Sequence, residues 1–292
     1  MKGVHAAIVT LFDDELEIDH DAIGQQVKRL IADGIDGIVA NGTMGEAGSL
    51  DPDERRAVIE TAVAAAGGRV PVCAGVSAPT PELASGYARD AERAGVDSLM
   101  LLPPLLYRGD QRELTAFFAA VAGATDLPMM VYNNPEASGI DMRPDLLAAI
   151  AAEVPAVTAF KETSGDARRI AELVDLCPEI DVLVGGDDWA LEGFCAGGAG
   201  WISGVAVVLP KQAVRLWDAV AAGDLAGARA LNGELLPLAR CDMTPKLVQY
   251  FKAALDELGL QGGPCRPPRL PLAHHERARL RDAVEHATSA CV

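Results

Sequence analysis

Eight apolar runs of strand length, each followed by an amphipathic stretch of helical period, limit how this chain can fold. The runs cover residues 6–12, 37–43, 70–76, 98–103, 128–133, 157–163, 182–186 and 201–207. Their short, apolar character is that of strands buried on both faces of a parallel sheet. The stretch 19–33 places Ile23, Val27, Leu30 and Ile31 on one helical face, and comparable stretches lie at 51–66, 81–94, 112–124, 143–153, 167–177, 190–196 and 211–222. Capping signals mark helix starts, as at Ser49–Leu50–Asp51–Pro52 and Thr80–Pro81–Glu82, and glycines mark helix ends at Gly34, Gly67 and Gly95. Eight strand–helix units predict an α/β fold, a closed (β/α)8 TIM barrel. An open doubly wound sheet is the alternative, but no G-x-G-x-x-G follows the first strand. After residue 223 only helical patterns remain, at 224–240, 244–258 and 274–286, with a Gly/Pro-rich segment at 262–271. The chain therefore divides into a catalytic barrel, 1–223, and a C-terminal helical appendage, 224–292.

A formal net charge of -17 speaks against a nucleic-acid partner, because phosphate binding needs clustered Lys and Arg. No apolar run is long enough to span a membrane, and no basic-then-apolar leader opens the chain, so a cytoplasmic setting is expected. The cysteines, Cys73, Cys177, Cys195, Cys241, Cys265 and Cys291, show no C-x-x-C spacing and no metal-ligand spacing with histidine.

In a barrel of this kind the chemistry gathers at the C-terminal ends of the strands. Four such ends are rich in functional groups: Asn41–Gly42–Thr43–Met44–Gly45–Glu46, Tyr132–Asn133–Asn134–Pro135, Lys161–Glu162–Thr163 and Gly185–Gly186–Asp187–Asp188. Lys161 closes a buried-looking strand. A desolvated amine is a nucleophile toward carbonyls and imines, although a strand-end lysine can also be only a solvated cap. Alternation puts Val157, Ala159 and Lys161 on one face of the sixth strand and Met130 and Tyr132 on one face of the fifth. If both faces point inward, the phenol and the amine approach one reacting atom. Tyr132 is then an acid/base candidate, with an interior tyrosine satisfied by a neighbour as the plainer alternative. The turn at Gly42–Thr43–Met44–Gly45 offers amides and a hydroxyl to a carboxylate, or is simply a βα turn.

The order G-T-x-G-E, Y-N-x-P, K-E-x-x-G-D and G-G-D-D, each at a strand end, resembles the dihydrodipicolinate synthase/N-acetylneuraminate lyase family over essentially the whole chain. The resemblance implies a barrel with a C-terminal helical extension, a lysine Schiff base with 2-oxo acids, no metal or organic cofactor, and a homotetramer. It implies that Lys161 forms the imine beside Tyr132, that Thr43 and Met44 hold a carboxylate, and that Gly186 and Ile202 line the pocket floor. Two departures bear on the substrate. Met44 stands where the dihydrodipicolinate synthase pattern has a second threonine, and Ala137 stands where it has an arginine for a second carboxylate. Tyr107 is also out of register with the tyrosine usually shared between subunits. The G-T-M-G-E form, with Y-N-N-P and Lys246–Leu247–Val248–Gln249–Tyr250, resembles the 1-pyrroline-4-hydroxy-2-carboxylate deaminase branch of hydroxyproline breakdown. That branch takes a cyclic imine and yields 2,5-dioxopentanoate and ammonia. Asn133, Ser138 and Ser203 are the candidates for reading its 4-hydroxyl. An aldolase or dehydratase of sugar acids, dihydrodipicolinate synthase itself and a non-catalytic keto-acid sensor are the other readings.

Overall fold

A computed structural model describes residues 1–289. Eight strands, β1 (Gly3–Ala7), β2 (Gly37–Ala40), β3 (Val72–Gly75), β4 (Ser98–Leu101), β5 (Met129–Asn133), β6 (Val157–Glu162), β7 (Asp181–Val184) and β8 (Gly200–Ser203), form a closed parallel barrel in sequence order. The ring closes where β1 pairs with β8, His5 opposite Ile202. The strands are short and almost entirely buried, as parallel strands covered by helices on one side and filled by side chains on the other must be. The helices between them start and stop at chemical signals. Asp51 caps Pro52–Ala66 through a reciprocal box with Glu54, and Asp110 does the same with Glu113 for Gln111–Ala122.

The strands are shorter than most of the apolar runs, and at two places the departure has a clear physical cause. The first run leaves the sheet after Ala7. The Gln26 side chain takes over the backbone of Val9, accepting from its amide at 3.3 Å and donating to its carbonyl at 3.1 Å. Residues 8–12 thus stay buried without a strand partner on both sides. The eighth run breaks at Ser203, and Val205–Val208 forms a helical turn despite three valines. Its amides are claimed by side chains: Val205 donates to Asp187 Oδ2 at 2.7 Å and Ala206 to Ser203 Oγ at 2.9 Å. Capping overrides β propensity there.

Beyond the barrel the chain is helical, with Leu225–Ala239, Leu247–Glu257 and His274–Ser289. The segment between the last two returns to the barrel mouth. Glu46, fully buried in a left-handed backbone conformation just after the glycine turn, pairs with Lys252 Nζ at 2.8 Å and with Arg269 at 3.4 Å, and accepts the Arg266 amide at 3.0 Å. Arg266 also clasps Glu54 with both guanidinium nitrogens at 2.7 Å. No helix among the described residues is long and apolar enough to cross a membrane. The five described cysteines are unpaired, and Cys291 lies outside the described residues.

Removing one partner of a buried ion pair strands the other charge. Glu46→Gln is therefore expected to cost about 3–5 kcal/mol, read as a lowered urea midpoint at unchanged slope.

Candidate active site

The parallel register of β5 and β6 sets Tyr132 opposite Lys161. Side chains in register on neighbouring parallel strands share a face, and both residues line a cavity of about 250 Å³ at the C-terminal end of the barrel. Both are almost completely buried. The ammonium of Lys161 sits 4.1 Å from the centroid of the Tyr132 ring. One amide fixes the phenol and the loop behind it together. Asn134 Nδ2 donates to Tyr132 Oη at 2.8 Å, while Asn134 Oδ1 accepts the Ala137 amide at 3.0 Å and caps Pro135–Ser138.

The next strand gives way to Lys161. A Cβ at Gly185 would lie 1.8 Å from Thr163 Oγ1 and 2.9 Å from Lys161 Cε, so only glycine lets β7 approach the lysine so closely. Thr163, two residues beyond Lys161 and on the same face, also lines the cavity, and its hydroxyl is buried without a hydrogen-bond partner. The opposite wall is the turn after β2, where Gly42, Thr43 and Met44 face the same space. Met44 is buried, with its methyl group against Gly204. Only the three-residue turn Ala47–Ser49 follows directly, and the long helix begins at Pro52, so no helix N-terminus adjoins this turn.

Among the residues expected at the site, Lys161, Tyr132, Thr43, Met44 and Ile202 are brought together around the cavity. Gly186 is not. It has the outward parity and packs against the Trp189 indole, and Gly185 takes the place at the wall. The three candidates for reading a substrate hydroxyl are also elsewhere. Asn133 points away from the cavity, donating to Glu162 Oε2 at 3.0 Å and accepting the Met142 amide at 2.9 Å. Ser138 bonds within its own turn, to the Asn134 carbonyl at 2.9 Å and the Ile140 amide at 3.1 Å. Ser203, fully buried, accepts the Ala206 amide at 2.9 Å. Tyr107 is more than half exposed and donates to Glu113 at 2.9 Å rather than reaching the cavity.

The polar groups that do line the cavity, besides Lys161, Tyr132, Thr43 and Thr163, are Asn134, Glu136, Asp242 and Thr244. Asn134 and Thr163 were within reach of the parity argument, since each follows a named strand-end residue by two. Asp242 and Thr244 were not, because they belong to the link between two C-terminal helices, which no strand-end rule selects. Asp242 Oδ2 accepts the Asp187 amide at 3.2 Å. Burial lifts the Asp242 carboxyl to about 6 against the pull of Lys161. Burial and the neighbouring Asp242 push Asp187 well above the usual carboxylate range. Among the described residues Lys161 is the one cationic side chain lining the cavity, while Glu136 and Asp242 are acidic.

The comparisons with known proteins agree on one group. The model of the Dihydrodipicolinate synthetase family matches residues 1–287. The 4-hydroxy-tetrahydrodipicolinate synthase of Methanothrix thermoacetophila is 33% identical over 285 residues, 97% of this chain and 96% of the relative. The enzyme of the same name from Halorhodospira halophila is 37% identical over 274 residues, 92% of this chain and 90% of that one. Among solved structures, a prophage protein of the dihydrodipicolinic acid synthase family from E. coli K12, in complex with pyruvate, superposes with a TM-score of 0.93 at 26% identity, covering 98% of both chains.

A methyl group on Gly185 must displace Thr163 or the lysine stem. Gly185→Ala is expected to slow formation of a borohydride-trapped adduct at Lys161 about 100-fold, since misplacement by an ångström costs that much. Mass spectrometry of the trapped protein over time measures it.

Proposed function

The chain belongs to the Dihydrodipicolinate synthetase family of lyases, and on that premise we propose that it is a lysine Schiff-base enzyme acting on a substrate with a single carboxylate. The charge around the cavity carries this reading. Within this cavity a second carboxylate, such as a dicarboxylic condensation product requires, would find no cation besides Lys161 and would face Glu136 and Asp242, while Arg55 and Arg269 lie in the neighbouring cavity beyond Thr43 and Ala137. Ala137 lines the cavity where the resemblance leads one to expect an arginine. Met44 removes a second hydroxyl from the turn and presents a thioether. Biosynthetic condensation is thereby disfavoured, although the relatives from Methanothrix thermoacetophila and Halorhodospira halophila carry its name.

The substrate we propose is 1-pyrroline-4-hydroxy-2-carboxylate, a five-membered cyclic imine. Its carboxylate meets Thr43 and the Met44 amide. Lys161 adds to the imine carbon, the ring nitrogen leaves as an amine on the far carbon, and a lysine iminium remains. Tyr132 moves protons between the two nitrogens. The iminium acidifies the adjacent C–H, whose electron pair passes into an enamine and expels the 4-hydroxyl as water. The new double bond shifts to make an imine of the far amine. Two waters then hydrolyse the two imines, releasing ammonia, 2,5-dioxopentanoate and free Lys161. One water is expelled and two are consumed, so the sum is substrate plus water to dioxo acid plus ammonia. No step calls for a metal or an organic cofactor.

A second reading, a dehydratase or aldolase of sugar acids through the same lysine, is favoured by the polar groups Asn134, Glu136, Asp242 and Thr244 at one side of the cavity. A homotetramer belongs to the proposal as well. It is supported by the adjacent exposed side chains of Leu106 and Tyr107, 97% and 56% accessible. The division into barrel, 1–223, and appendage, 224–292, is part of it too. The change from alternating strands and helices to helices alone supports it, with the qualification that Asp242 and Thr244 carry the appendage into the site.

Incubation with the cyclic imine is expected to release ammonia and dioxopentanoate in equal amounts, and Lys161→Ala to abolish both. Pyruvate with borohydride is expected to add to Lys161. An adduct without ammonia release from the imine moves the assignment to the sugar acids. Full activity of Lys161→Ala ends the Schiff-base reading.

A further inference from the structure

One carboxyl group in the cavity wall, and a second buried behind it, are unused by imine formation. Asp242 lines the cavity, and its Oδ2 accepts the backbone amide of Asp187 at 3.2 Å. Asp187 itself is 2% exposed, accepts the Val205 amide on Oδ2 at 2.7 Å, and has no partner for Oδ1. Ionising a carboxylate with one oxygen buried and unbonded is costly, so Asp187 is the member of the pair that keeps a proton. Asp242 holds an N–H donor and is open to the cavity, so it is the member that ionises. The charged groups facing Asp242 are Lys161 from β6 and Asp187 and Asp188 from the turn after β7, with the Cys241 thiol beside it on its own segment.

We infer that Asp242 is a second acid/base residue of this site, one that works on the substrate carbons beyond the imine. The inference rests on the Schiff-base reading of Lys161. With the lysine iminium formed, the Asp242 carboxylate takes a proton from the adjacent carbon. The C–H electron pair enters the enamine and expels the hydroxyl one carbon further out. The Asp242 carboxyl returns its proton to that departing oxygen, which leaves as water. The carboxylate begins and ends the elimination in the same state, with no other reactant. Tyr132, tied to Asn134, serves the nitrogen side of the imine, and Asp242 serves the carbon side. The ligand class this fits is a 2-oxo acid, or its cyclic imine, with a hydroxyl two carbons from the carbonyl.

The test uses pyruvate, whose methyl group is the carbon in question, so it does not depend on the natural substrate. Loss of the methyl proton signal in D2O is followed by NMR for the wild type, Asp242→Asn and Asp242→Glu, beside borohydride trapping at Lys161. The wild type is expected to trap pyruvate and exchange its methyl protons. Asp242→Asn is expected to trap pyruvate but exchange about 100- to 10000-fold more slowly, the range for a lost acid/base. Asp242→Glu is expected to recover part of the exchange. The active form is the carboxylate, so wild-type exchange falls as pH drops through about 6, and Asp242→Asn lacks that limb. Wild-type exchange and an unchanged acidic limb in Asp242→Asn would overturn the Asp242 assignment and leave the lysine chemistry standing. Should Asp242→Asn not fold, an acidic limb that stays in place in Asp242→Glu overturns the assignment equally. Failure of the wild type to trap any carbonyl overturns the Schiff-base reading, and this inference with it.

Discussion

The buried carboxylate of Glu46 holds the two parts of this molecule in one geometry. A fully buried carboxylate is tolerated only when opposite charge and hydrogen bonds replace its water. Here every one of those partners, Lys252, Arg269 and the Arg266 amide, comes from beyond the barrel. The carboxylate sits at the end of the turn that carries Thr43 and Met44. The ion pair that stabilises the docked C-terminal segment thus also fixes the wall of the cavity facing Lys161. Lys252 makes the arrangement stricter, because its ammonium also donates to the Pro264 carbonyl at 2.7 Å and lies over the Phe12 ring. A charge buried this way has one position in which it is satisfied, and that position sets the turn.

Much of this was legible in the sequence, because the periodicities involved are strict. A closed barrel follows from eight strand–helix repeats, and the meeting of Tyr132 with Lys161 follows from alternation on two neighbouring strands. The readings that failed treated a residue's polarity as if it told which way the residue faces. Asn133 is one position from Tyr132 and therefore on the other side of the sheet, bonded to Glu162. Gly186 is displaced from the wall by the same one-residue parity. Ser203 and the valines after it look like a strand and its polar end, but Asp187 and the serine hydroxyl recruit them into a helical turn. Asp242 was invisible for a different reason. Its place depends on how the C-terminal helices fold back over the barrel, and nothing local in Cys241–Asp242–Met243–Thr244 encodes that return.

The cavity combines a single amine with acidic and neutral polar groups. That composition suits chemistry in which charge is made and dissipated on the substrate. On the proposed reading, an iminium at Lys161 is the electron sink, and the surrounding groups have only to move protons. Its walls are largely apolar, with Ala7, Val39, Met100 and Ile202 among them, and such walls limit the water that reaches a reacting group at Lys161.

The contact between Met44 and Gly204 reaches beyond catalysis, into how such a site can change over generations. A Cβ at residue 204 would lie 2.4 Å from the Met44 methyl, so the two positions, far apart in the chain, share one volume. A side chain at 204 must push the flexible end of Met44 aside and meets the Phe251 ring at 3.0 Å, and a small residue at 44 leaves a hole in the same place. A change at either position is thus felt at the other, so the sizes of residues 44 and 204 are coupled wherever this wall of the cavity is rebuilt.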